Sequence, residues 1–261
     1  MLTRIVHSIV SRASAQLAGP PNWARIGRRA GLPLPPHLLA RTACATLLTL
    51  LLTACASSPP PPDWKINAYN LLESYSKHYL NGNTGLAERN FERARAEIAR
   101  TGRLDLAARA ELMRCAVRIA ALETGPCQGF VALAPHAAAE DRAYARYLSG
   151  DWQGLDVGKL PPPYRALSQV KDDAGLVRSL EGIEDPLSRA IAAGVLFHAG
   201  RASPEVIATA TRTVSDQGWR RALLAWLEVQ AKRAEAAGDA ASLELIRQRI
   251  DLVHASLTER R

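Results

Sequence analysis

The chain lacks most of the patterns that announce a chemistry. It has no G-x-S-x-G elbow, no G-x-x-x-x-G-K-[ST] loop and no G-x-G-x-x-G turn, which removes the usual marks of a serine hydrolase, a P-loop enzyme and a dinucleotide-binding domain. Its histidines are scattered with no H-x-x-x-H pair, and its four cysteines include no C-x-x-C, so no metal site is written in the spacing. No alternating apolar and polar segment of strand type occurs. The longest apolar run, Ala43 to Leu52, is about half the roughly 20 residues that a membrane-spanning helix needs. Acidic residues are missing from 1–54, a segment that holds six Arg and no Lys. From residue 55 onward 27 basic residues face 25 acidic ones, a net charge of +2 in place of the formal +8. Nucleic-acid binding thereby loses its main argument.

What is present is a short apolar run that closes on Leu52-Thr53-Ala54-Cys55, with Ser57-Ser58 and four consecutive prolines directly after it. Arg41 supplies a positive charge ahead of the run, and Thr53 and Ala54 are small enough to enter a peptidase site. The stretch resembles the lipobox of bacterial lipoproteins. That resemblance implies that Cys55 takes a diacylglycerol on its thiol, that the leader 1–54 is cut before it, and that the freed amine is acylated. Two or more acyl chains hold a protein stably on a membrane without a spanning helix. Residue 56 is Ala, not the Asp that retains enterobacterial lipoproteins at the inner membrane, so the resemblance implies the periplasmic face of the outer membrane. Residues 1–40 are rich in Arg and Pro, show no sustained apolar period and are assigned no folded role. A translation start near Leu38 or Leu39 would leave an ordinary leader; the alternative is a real extension ahead of the signal.

Residues 55–62 then read as a lipidated Cys and a stiff proline tether of about 3.1 Å per residue. Two helical subdomains follow, 63–150 and 164–261, joined by the Gly- and Pro-rich stretch 151–163. In the first, Asp63 is placed to cap a helix with an apolar stripe of Trp64, Ala68, Leu71, Tyr75 and Tyr79. Thr84 is placed to cap the next, where Ala87, Phe91, Ala94 and Ile98 repeat the spacing. Leu104, Ala108, Leu112, Cys115, Ile119 and Leu122 form a third stripe, and a shorter helix after Pro135 buries Ala143, Tyr144 and Tyr147. In the second, Asp185-Pro186 and Ser203-Pro204 each open a helix, and two long helices meet at Gly238. The expected fold is all-α, built from antiparallel helix pairs.

Leu71, Gly82, Ala87, Phe91 and Ala94 fall at the large, turn and packing offsets of a tetratricopeptide (TPR) unit, which the first hairpin resembles. Tyr75 and His78 depart from its pattern. The resemblance implies a TPR-like, α-solenoid-like packing of the helix pairs. Glu73-Ser74-Tyr75 with Gly85-Leu86 also resembles the catalytic helix of lytic transglycosylases, in which one Glu with a raised pKa acts as general acid. The Met-Gln that follows Gly-Leu in that family is replaced here by Ala87-Glu88.

Cys115 and Cys127 remain once Cys44 is assigned to the leader and Cys55 to the lipid. An oxidising compartment favours a bridge between them, worth about 3 kcal/mol or less over so short a loop, with two buried free thiols as the alternative. The charge run 88–100 pairs Glu92 with Arg95 and Glu97 with Arg100 at i,i+3, the pattern of a solvated helical face. His78, His136, His198 and His254 read as surface or boundary residues, and neither a metal, a cofactor nor a catalytic residue is assigned. The expectation is a lipid-anchored periplasmic protein-binding adaptor or envelope assembly factor, not an enzyme, similar in class to uncharacterised proteobacterial outer-membrane lipoproteins. The rival expectation is a peptidoglycan-cleaving enzyme using Glu73. Tyr69 falls off the stripe of the first helix, which makes it the aromatic expected to contact a protein partner.

Overall fold

The computed structural model describes residues 60–258, so the leader 1–54 and the lipobox cysteine Cys55 lie outside the described residues, as does most of the 55–62 tether. Eleven α-helices and three short 3-10 turns follow, with no strand among the described residues. The fold is all-α.

The first two helices, α1 (Asp63–Leu80) and α2 (Thr84–Ala99), pack along one another. Both start one residue earlier than a side-chain cap at Asp63 or Thr84 would require: Pro62 and Asn83 hold the cap positions, and neither bonds the helix through its side chain. Asp63 instead places its charge in the first turn, where it meets the positive end of the helix dipole. On α2 the buried residues are Ala87, Phe91, Ala94 and Ile98, the stripe read from the spacing. On α1 Leu72 and Leu80 are buried, whereas Trp64 and Leu71 lie at the edge of the core.

The next helix, α3 (Leu104–Ala120), buries ten of its seventeen residues on more than one side. A helix that buries residues on several sides belongs in the interior. Leu104, at its first position, is 46% exposed, and Leu122 falls past its end. A four-residue helix, α4 (Gln128–Val131), leads to α5 (Ala139–Leu148), which buries Ala143, Tyr144 and Tyr147. Arg109 on α3 donates from Nε and Nη2 to the two carboxylate oxygens of Asp141 on α5, at 3.1 and 2.9 Å, with both side chains 12% exposed.

The stretch 151–163 is packed, not free. Trp152 stacks on Tyr147 at 5.7 Å and Tyr147 on Tyr164 at 4.8 Å, while the Trp152 indole N–H donates to the Tyr147 carbonyl at 3.1 Å. The chain passes through α6 (Pro162–Arg165) and α7 (Asp173–Glu181) to α8 (Pro186–His198). Asp185 accepts from the Ser188 N–H to cap α8, and Ser203 accepts from the Val206 N–H to cap α9 (Pro204–Asp216), each with proline at the first helical position.

Nine of the thirteen residues of α8 are buried, and it lies directly against α3. Gly194 makes the approach feasible: a Cβ there would stand 2.3 Å from the Ile119 carbonyl oxygen. The elements before and after 151–163 therefore share one core. The last pair, α10 (Arg220–Ala236) and α11 (Ala240–Thr258), packs on α9, and α10 returns to α1. There the Trp226 indole N–H donates to the Ala120 carbonyl at 3.3 Å, and Arg220 donates to the Asn81 and Ser256 carbonyls at 3.3 and 3.0 Å.

Two glycine replacements separate helix propensity from packing. Alanine is the better helix former by about 0.5–1 kcal/mol, yet at Gly194 it meets backbone, and overpacking of that kind costs about 1–3 kcal/mol. Gly194→Ala should lower the unfolding free energy by more than 1 kcal/mol in denaturant titration. Gly85→Ala, where the added carbon meets only the Arg89 side chain at 3.5 Å, should leave it unchanged or slightly raised.

Candidate functional site

The largest cavity described, about 750 Å³, opens between α2, α3 and the loop that follows α3. Glu111, Arg114, Cys115 and Arg118 recur three and four residues apart on α3, so one face of an otherwise apolar helix turns charged side chains into it. Arg95 enters from α2, and Glu123 to Gly129 forms the far rim.

The charges are already paired across elements. Arg114 donates to Glu88 at 2.7 Å and stacks 4.6 Å over Phe91, and Arg95 pairs with Glu92 at 3.3 Å. Arg95 and Arg114 also face Glu111, at 3.5 and 4.0 Å respectively. Burial pushes the Glu111 carboxyl up, while Arg114 and Arg95 pull it back. Glu123 accepts from Tyr79, from Arg118 at 3.1 Å and from Arg221 at 3.2 Å, tying α1, α3 and α10 to one carboxylate. Burial and the bond to Glu123 push the Tyr79 hydroxyl up to about 12. The lining carries three guanidiniums, Arg95, Arg114 and Arg118, and two carboxylates, Glu111 and Glu123, each engaged in at least one ion pair.

The run 88–100 does form its Glu92–Arg95 and Glu97–Arg100 pairs, at 3.3 and 3.0 Å. It is more than a solvated face, however, because Glu88 and Arg95 also bridge to α3. The signal available in the sequence was the charged residues at 111, 114 and 118 on the most apolar helix of the first half.

Cys115 and Cys127 stand at disulfide distance with Cα atoms 5.5 Å apart, within the usual range, and both line the cavity. The chain reaches Cys127 through a tight exit from α3. The Leu122 N–H donates to the Ile119 carbonyl at 2.9 Å and the Glu123 N–H to the Arg118 carbonyl at 3.1 Å, a Schellman turn. That turn puts Leu122 at φ 58, where helices elsewhere in this chain use glycine, as at Gly82 and Gly102. The left-handed conformation costs a leucine roughly 1–2 kcal/mol. Partial burial of its side chain against the core and the Glu123 bonds offset that cost.

Tyr69 is half-buried on α1, and Glu73 is exposed and lines none of the cavities described. Among the described residues no group of three or more His, Cys, Asp or Glu is placed to hold a metal. Of the histidines, His136 and His254 are exposed and His78 is half-buried. His198, read from the sequence as a surface or boundary residue, contacts the turn that leads into the rim. It ends α8, bonds the Glu123 backbone, and has its Nε2 buried without a partner. Burial lowers its pKa, with the Glu123 bond opposing. A folded ring that gives up its proton more readily than the unfolded one means that the unfolded state binds more protons below the ordinary value of about 6.5. Its contribution to stability is complete above that pH and is lost as pH falls through the folded value. Melting temperature followed from pH 7 to pH 5 should fall more steeply for the wild type than for His198→Gln.

Comparison with known proteins finds no family that matches the chain and neither a curated protein nor a solved structure similar to it.

Proposed function

We propose that the chain is a lipid-anchored, non-enzymatic adaptor or assembly factor of the bacterial envelope, held by Cys55 on the periplasmic face of the outer membrane and binding a segment of a protein partner. The observation that carries the reading is the cavity beside the disulfide. Its size suits a few side chains of a peptide, and the charges of its lining are paired within the protein, which favours binding over catalysis. Tyr69 on α1 is the proposed aromatic contact outside it.

The reading includes a TPR-like packing of the first hairpin, and the burial of Ala87, Phe91 and Ala94 on α2, which packs along α1, supports it. The contacts of α3 with α8 and of α10 with α1 go beyond the neighbour-to-neighbour contacts of a solenoid. The proposal therefore concerns a closed helical domain with one TPR-like unit. For the rival reading a general acid needs a cleft that raises its pKa, and Glu73 is exposed.

Two measurements test the parts separately. Cys55→Ala should abolish labelling by palmitate, and a variant that still labels would remove the anchor. Photo-crosslinking residues placed at Gln128 and at Tyr69 in cells should trap one envelope protein, while the same residue at Arg249 on α11 should not. Equal trapping at all three positions, or none, would end the adaptor reading.

A further inference from the structure

The rim of the cavity is attached to the body at few points. Thr124, Gly125, Pro126, Gln128 and Gly129 are exposed, and only Cys127 among these six residues is half-buried. The backbone bonds of the segment stay local: the Gln128 N–H donates to the Pro126 carbonyl at 2.8 Å, and the Cys127 carbonyl accepts from Phe130 and Val131 at 2.8 and 3.1 Å. Upstream, the turn at Leu122-Glu123 is gripped by Tyr79, Arg118, Arg221 and His198. Downstream, Phe130 is buried. Between these anchors the rim meets the body through the Cys115–Cys127 bridge and through Gly129, over which the Glu111 carboxylate lies so closely that a Cβ would stand 2.2 Å from its Oε2.

We propose that this bridge is a redox latch on the cavity, so that reduction by a dithiol frees residues 124–129 and opens the mouth while the helical core stays folded. The inference rests on the cavity being where the partner segment enters. Cys127 is the more open of the two sulfurs, Cys115 being 9% exposed. A thiolate of the dithiol attacks the Cys127 sulfur, forming a mixed disulfide and releasing the Cys115 thiolate. The second thiolate of the reductant then displaces the Cys127 thiolate. The dithiol ends as its own disulfide, and its two protons end on Cys115 and Cys127. The core does not depend on the bridge, because α3 is held by α1, α5 and α8 and by the Arg109–Asp141 pair, none of which runs through 124–129.

Hydrogen exchange on the full-length protein in detergent micelles, oxidised and then treated with dithiothreitol, tests this without a partner. The hydrogen-bonded amides of Gln128, Phe130 and Val131 should exchange on the order of ten- to a hundredfold faster after reduction. Amides of α1 and α8 should not change. A Cys115→Ala, Cys127→Ala double variant should show the fast pattern without reductant and no further response to it. Unchanged exchange at the rim on reduction would overturn the latch, as would a loss of protection that extends through α8. Either outcome leaves the adaptor reading standing, since that reading is decided by crosslinking and not by exchange.

Discussion

The close approach of α3 and α8 is the constraint on which the rest of the structure depends. Both helices bury most of their residues, so each needs the other together with an outer layer. Small residues set the distance between them. Gly194 sits against the Ile119 carbonyl, and Ala190, Ala192 and Ala193 are fully buried beside it. With that spacing fixed, α1, α2 and α5 cover α3, while α7 and α9 cover α8. The last hairpin then closes the layer by bringing Trp226 to the end of α3 and Arg220 to the α1–α2 turn. The segment 151–163 connects helices whose packed faces belong to one core, and its aromatic stack fastens it there.

Local periodicity made the outer helices legible and the inner ones only partly so. On α2 one face is solvated, one stripe describes the burial, and all four predicted residues are inside. On α3 a single stripe accounts for Ala108, Leu112, Cys115 and Ile119 but leaves out Leu106, Ala110, Met113, Ala116, Val117 and Ala120, because a helix with neighbours on several sides has no one face to read. Caps followed by proline, at Asp185 and Ser203, were readable from the dipeptide. At Asp63 and Thr84 the preceding residue took the cap position instead. The cysteine pair was expected by elimination and compartment, and the two thiols do stand at disulfide distance. The cavity was not legible, because whether Arg95 meets Glu92 or Glu111 is decided by how closely α2 lies to α3, which no local pattern contains.

Charge in this protein is used mainly to join elements. Glu123 shows the principle: one carboxylate receives a tyrosine and two arginines from three helices, and its backbone receives His198 from a fourth. Each charged side chain at this turn has a partner, although the His198 Nε2 has none, and removing one charge would leave another unpaired in a partly desolvated place. The same turn places Leu122 in a conformation that leucine avoids. The cost of that strain is of the order of one good charged hydrogen bond, so the turn is held by what surrounds it and not by its own preference.

Two irregular segments, 124–129 and 151–163, are attached by different chemistry, and their composition explains why. The longer one carries Trp152 and Leu160, and it gains by burying them against Tyr147 and the core, with each stacked ring pair adding about 0.5–1.5 kcal/mol. The shorter one reads Thr-Gly-Pro-Cys-Gln-Gly. Apart from the cysteine it has no large apolar side chain to bury, and without burial the entropy of ordering about six residues, roughly 1–2 kcal/mol each, finds no offset in packing. A covalent bond is the attachment left to such a sequence, since it lowers the entropy of the unfolded loop in advance. The segment held by aromatics therefore responds to temperature and denaturant with the core, whereas the rim of the cavity responds to the thiol chemistry of its surroundings.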